Sequence, residues 1–194
     1  MEELKNLLQS EKAVLDTLKL RLKAVEHTRV PTLILSGSGS IEERLGILLR
    51  KLAQDLNGLY CDLTSPEAIE RLKKGPPFYG RSMDGYLTAE AVRQFLLREC
   101  SLFCTHTLAV HIPGTIWKLM SNAHPSEPLT FLTGLCEWTS PCNLVLSYPY
   151  GVDWSIPSLE EVPNLPTHRV VELVLTNAER CYLEGEWEKT FHDR

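Results

Sequence analysis

No run of apolar residues in this chain approaches the roughly 18 to 20 that a helix needs to cross a bilayer. The opening stretch, MEELKNLLQSEK, carries charges where a secretory leader would place its apolar segment. These two absences predict a cytoplasmic protein with no membrane partner. A basic excess is missing as well: 20 Lys and Arg stand against 25 Asp and Glu, a net charge of -5. Broad nucleic-acid-binding faces work by displacing phosphate counterions with clustered cations, so contact with nucleic acid is expected only indirectly.

Cys100 and Cys104 have three residues between them, but no matching second pair completes a structural zinc site, since Cys136 and Cys142 straddle Pro141. A chain of 194 residues also buries enough apolar surface to need no disulfide framework. Most of Cys61, Cys100, Cys104, Cys136, Cys142 and Cys181 lie beside Leu, Phe or Val, which predicts reduced thiols acting as small buried hydrophobes. Neither a metal nor a cofactor is expected. Repeats and low-complexity tracts are absent, and the 43% hydrophobic and 23% charged composition is that of a folded chain, not a disordered one.

What is present begins with a helix predicted over residues 2–27. Leu8, Leu15 and Leu22 recur every seven residues, with Leu4, Leu18 and Val25 on the adjoining line, and Glu11 interrupts the seam. Such a stripe must meet something, because an isolated helix of this length is marginal. Two uses stay open: packing on the chain's own domain, or docking onto a protein partner or a second copy through Leu8, Leu15, Leu18 and Leu22.

Pro31 ends that helix, dividing the chain into a helical segment 1–28 and an α/β domain over 30–194. Strands are expected at Thr32–Leu35, Leu59–Leu63, Thr107–Ile112, Asn143–Tyr148 and Arg169–Leu175, from short apolar runs bounded by turn residues. Helices are expected between them at about 41–56, from Ser65-Pro66-Glu67, at 89–102, and over 115–138 with a break at 124–128. The polar tail is expected to be partly helical. This alternation predicts an α/β fold: a mainly parallel five-stranded sheet, helices on both faces, and an N-terminal amphipathic helix in front.

Ligands of doubly wound sheets bind beyond the carboxyl ends of the strands. There Ser36-Gly37-Ser38-Gly39 forms a sharp turn, and Ser40-Ile41-Glu42-Glu43 has the pattern of a capping box. A phosphate loop would need Gly-Lys-Ser/Thr after four residues. Counting from Gly37 gives Glu42-Glu43, and from Gly39 gives Arg44-Leu45. Acids at a helix start repel an anion, and the third strand ends in Pro113-Gly114-Thr115 where a hydrolase would place a metal carboxylate. Nucleotide hydrolysis is therefore not expected. No G-x-S-x-G elbow occurs, and His106 and His111 fall on opposite strand faces. Were the chain an enzyme with an unfamiliar pocket at the strand ends, Asp62 and Asp153 would be the acids to examine. The loop around Phe78, Tyr79 and Arg81 mixes aromatic and cationic groups as interface hot spots do, and is a second candidate for partner binding.

Three segments together resemble the P-loop ATPase-like fold of the AAA+ group. They are Thr32-Leu33-Ile34-Leu35-Ser36-Gly37 before a long helix, Pro77-Phe78-Tyr79-Gly80 before a helix and the strand 107–112, and Asn143-Leu144-Val145-Leu146 as a late strand. The likeness, over residues 30 to 176, is in particular to the degenerate N-terminal domain of bacterial clamp-loader delta subunits. It implies a non-catalytic protein-binding subunit of a DNA-replication assembly, contacting a sliding clamp through the helix at about 41–56. A cytosolic scaffold or adaptor that dimerises through its N-terminal helix is the alternative.

Overall fold

A computed structural model describes residues 7–23, 33–73, 87–103, 107–137, 142–150, 159–162, 165 and 167–192. Among the described residues five strands form one sheet in the order β2-β3-β4-β1-β5: β1 (Leu33–Ser38), β2 (Leu59–Asp62), β3 (Thr107–His111), β4 (Asn143–Tyr150) and β5 (Val170–Leu173). Every pairing is parallel. The alternation of strands and helices therefore gave the right class, since parallel neighbours require crossovers.

The helices are α1 (Gln9–Lys23), α2 (Glu42–Asp55), α3 (Pro66–Lys73), α4 (Ala89–Phe103), α5 (Gly114–Ala123), α6 (Glu127–Glu137) and α7 (Asn177–His192). Alternate residues of each strand face opposite ways, and two cores follow from that. Ile34, Leu108, Val110, Leu144, Leu146 and Tyr148 join side chains of α3, α4, α5 and α6 on one face. Leu33, Leu35, Ala109, Val145, Val171 and Leu173 join α1 and α2 on the other.

Local chemistry explains several element ends. Ser65 Oγ accepts the Ala68 N–H at 3.1 Å and Thr88 Oγ1 accepts the Ala91 N–H at 3.2 Å, capping α3 and α4 as their sequences predict. Helix α2 stops at Asn57, whose φ of 50° is the left-handed turn that asparagine tolerates. Gly58 serves packing instead, because a Cβ there would stand 2.5 Å from the Thr107 carbonyl oxygen.

Two local expectations are corrected. The strand β1 runs through Ser36, Gly37 and Ser38, pairing Gly37 with Pro149 and Leu173, so the sharp turn starts only at Gly39. Glycine at 37 lets α2 come close: a Cβ would lie 2.9 Å from Leu45 Cδ2. The capping box does not form either. Residues Gly39–Ile41 make a 3-10 turn, α2 begins at Glu42 with Ile41 as its N-cap, and no side chain caps it. Ser40 Oγ pairs with Ser38 Oγ at 2.8 Å rather than with a helix amide.

The seam of α1 meets its own domain. Leu15, Leu18 and Leu22 are buried in the α1–α2 core, and Leu8 packs against it. Glu11, the residue that interrupts the seam, is fully buried and faces Arg44 of α2. Lys19 pairs with Asp55 at the far end of the same helix pair. At the edge of the sheet, Arg21 Nη1 donates to the carbonyls of His168 and Val170, tying α1 to β5.

Candidate functional site

Helix α2, which follows β1, lies on one face, whereas α5, which follows β3, lies on the other. The crevice expected of such a sheet opens at the carboxyl ends of β1, β4 and β3, where successive connections diverge. Its wall at β1 is the turn Gly39–Ile41 and the start of α2; its wall at β3 is Pro113-Gly114.

The chain fills this crevice with its own charges. Glu42 Oε1 accepts the Gly114 N–H at 3.0 Å, so the first amide of α5 is bound to an internal carboxylate. Burial raises the Glu42 pKa above the ordinary value, the Gly114 bond opposes this, and Glu43 beside it raises it further. Arg44, the cation nearest the turn, is turned away from the crevice toward α1: its Nε and Nη2 donate to Glu11 Oε1 and Oε2, each at 2.5 Å. Glu11 Oε2 also accepts the Leu8 N–H at 2.8 Å. A bidentate pair of this kind is geometrically specific and commits the Nε edge of the guanidinium to Glu11.

Beneath α2 the register builds a polar row that the one-dimensional pattern does not display. Asp62 lies opposite His111 on β3, and Ser147 on β4 follows in the same row. His111 Nδ1 is 3.0 Å from Ser147 Oγ, which accepts the Ile112 N–H at 2.8 Å and lies 3.3 Å from the Ile112 carbonyl oxygen. The imidazole fits under Gly46 of α2, where a Cβ would stand 3.2 Å from its Cδ2. Burial lowers the His111 pKa; Asp62 works against this and Arg50 with it.

The Asp62 carboxylate is committed locally. Oδ1 accepts the Thr64 N–H at 2.9 Å and the Thr64 hydroxyl at 2.6 Å, and Oδ2 accepts the Tyr60 hydroxyl at 3.1 Å. Burial pushes its pKa up, but those donors and His111 more than offset that and hold it below the usual range. Arg50 Nη2 lies 3.9 Å away, with its guanidinium 5.1 Å over the Tyr60 ring. Burial, and then Asp62, raise the Tyr60 pKa.

Serine, histidine and aspartate in one row have the composition of a nucleophilic triad but not its working arrangement. Ser147 is fully buried and its hydroxyl is engaged with the Ile112 backbone, so no substrate carbonyl can reach it. Among the described residues, no group of three His, Cys, Asp or Glu could hold a metal ion. Cys142 is buried and Cys61 half-buried, while Cys181, which has no Leu, Phe or Val beside it in sequence, is exposed on α7.

Phe78, Tyr79 and Arg81 of the aromatic loop, Asp153, Cys104 and His106 lie outside the described residues. Of the charged groups at the strand ends, Glu42 was singled out in sequence only as an obstacle to phosphate. Its bond to Gly114 depends on α5 starting beside α2, which spacing does not encode. No family model matches the chain, and no curated protein or solved structure matches it. No helix among the described residues is long and apolar enough to cross a membrane.

Proposed function

We propose that this chain is a non-catalytic protein-binding module, a degenerate P-loop-ATPase-like domain serving a nucleic-acid-processing assembly, with a replication clamp loader as the specific candidate. One observation carries the non-catalytic half of this reading. Where a triphosphate would require free amides and a free cation, Glu42 takes the Gly114 amide and Glu11 takes Arg44. A nucleotide at these two groups would compete with internal carboxylates for both.

The protein-binding half turns on which surface remains available. The leucine seam of α1 is committed to the core, so the partner surface moves to the outer stripe of α2. Glu43 and Arg50 are exposed there and Ile47 is half-buried between them, on one line of the helix with exposed Gln54. The same helix is the one that the clamp-loader resemblance assigns to partner contact. A second reading, homodimerisation through α1, draws on Leu20, which is 70% exposed on the side of α1 away from the sheet.

Thermal melting with millimolar ATP and magnesium tests the first half: no shift is expected, and a rise of several degrees overturns it, since a ligand that binds the native state stabilises by mass action. A photo-crosslinking residue at Ile47 tests the second. Adducts with partner proteins at Ile47 but not at Lys12 support the α2 surface. Light scattering that returns a dimer abolished by Leu20→Glu transfers the reading to α1.

A further inference from the structure

We propose that His111 is a proton-operated latch on α2: the neutral imidazole, seated between Gly46 and Ser147, holds the helix down on the carboxyl end of the sheet, and protonation releases it. The latch goes beyond the binding reading and stands whether or not the α2 surface meets a partner.

The geometry gives the latch its two positions. Ser147 has one hydroxyl hydrogen and two acceptors within reach, His111 Nδ1 at 3.0 Å and the Ile112 carbonyl at 3.3 Å, while its oxygen already accepts the Ile112 N–H. With Nδ1 unprotonated, the hydroxyl donates to the ring. With Nδ1 protonated by solvent, the ring donates to Oγ and the hydroxyl turns its hydrogen to Ile112. The hydrogen bond therefore survives protonation, and the cost lies in the added charge. That charge would sit under Gly46, whose missing side chain leaves the ring packed against helix backbone where water cannot solvate it.

The charged groups facing the ring are Asp62 from β2, which favours the cation, and Arg50 from α2, which opposes it; β4 contributes the uncharged Ser147. Burial exceeds both, so the closed state binds the proton more weakly than an open one does. The sign follows directly. An imidazole exposed by opening titrates near the ordinary value of 6.5, the closed one lower, so acidification below that value favours opening. Glu42, on the first turn of the same helix, acts in the opposite sense: burial raises its pKa, so its own protonation strengthens the closed state.

Hydrogen exchange of the full chain reads the latch. From about pH 7.5 to about pH 5.5, after correction for intrinsic exchange, protection of the α2 amides is expected to fall, by about tenfold at most, the limit set by a pH one unit below the open-state value. Amides of α5 and α6, on the other face, are expected to hold. In His111→Gln the fall disappears; in Glu42→Gln it persists. An unchanged α2 in the wild-type protein, or the same fall in His111→Gln, overturns the latch. Should His111→Gln fail to fold, the imidazole resonances of the wild-type protein decide. A His111 ring titrating at or above the ordinary value overturns the proposal, and one titrating below it while α2 loses protection supports it.

Discussion

The two faces of the sheet are held by different physics. On the α3–α6 face the contacts are apolar: Trp117 meets Phe131 and Tyr148 edge-on, with ring centroids 5.5 and 4.9 Å apart. On the α1–α2 face an apolar seam is interleaved with charge, through Glu11–Arg44, Lys19–Asp55 and the buried His111. Apolar packing is non-directional and tolerates the pH range, whereas paired buried groups specify one geometry and respond to protons. The second face is therefore where register is fixed and where conditions can change the structure.

The largest effect expected is on the apolar face. Trp117→Ala should cost about 4 kcal/mol in urea denaturation, since a buried aromatic leaves both a cavity and lost transfer energy. Its indole N–H is buried without an acceptor among the described residues. Trp117→Phe removes that unpaired donor along with some volume, so it should cost much less than truncation, about 1 kcal/mol. Equal losses for the two substitutions would show that the donor has a partner and that the face is not purely apolar.

Next in size is the charged face. Arg44→Leu strands the fully buried Glu11 carboxylate and should destabilise by about 3 kcal/mol. Adding Glu11→Leu should restore most of that loss, because the pair costs desolvation that an apolar pair does not. A double variant as unstable as the single one would mean that the ion pair contributes net stability, and the contrast between the faces would blur. Hydrogen exchange in Arg44→Leu should open α1 and α2 before α5 and α6.

Much of this architecture was legible from sequence, and the failures are instructive. All five strands lie where short, mostly apolar runs bounded by turn residues placed them, and the central strands, covered on both faces, are the most buried. The N-terminal helix is shorter among the described residues than the predicted 2–27, but its stripe is the buried one. Gly37 was misassigned to a turn because glycine signals either a turn or a close approach, and only the position of Leu45 decides between them. The capping-box pattern failed because Ser40 falls inside the 3-10 turn, leaving Ile41 as the N-cap of α2, and its hydroxyl pairs with Ser38 instead. Glu11 looked like a flaw in the seam; a charge in an apolar stripe is also what a buried ion pair looks like when its partner lies elsewhere in the chain. The row Asp62–His111–Ser147 needed the strand order β2-β3-β4, which no local pattern carries.

A smaller effect distinguishes the start of α1 from its middle. Glu179 on α7 accepts the Ser10 N–H at 2.9 Å and the Ser10 hydroxyl at 2.6 Å, and also bonds Thr176. Slight burial raises its pKa, but the Ser10 and then the Thr176 donors overcome this and hold it at about 2. A carboxyl depressed in the folded state contributes stability that is complete above its ordinary value of 4.5 and lost as pH falls toward 2. Melting temperature should therefore decline across that window, and Glu179→Gln should flatten the decline without altering the His111-dependent behaviour nearer neutrality.

The smallest effect expected is at Leu20, and it bears most directly on what the charged face is for. Leu15, Leu18 and Leu22 are buried, yet Leu20 on the same helix is exposed and makes no part of either core. A solitary exposed leucine is ordinary on a protein surface. Leu20→Ser should then change stability by less than about 0.5 kcal/mol, as surface substitutions do, and leave the mass in solution unchanged. If instead the substitution shifts a dimer to monomer, α1 is sandwiched between its own sheet and a second copy. The polar anchors that fix α1 to α2 would then be setting the geometry of an interface as well as that of a core.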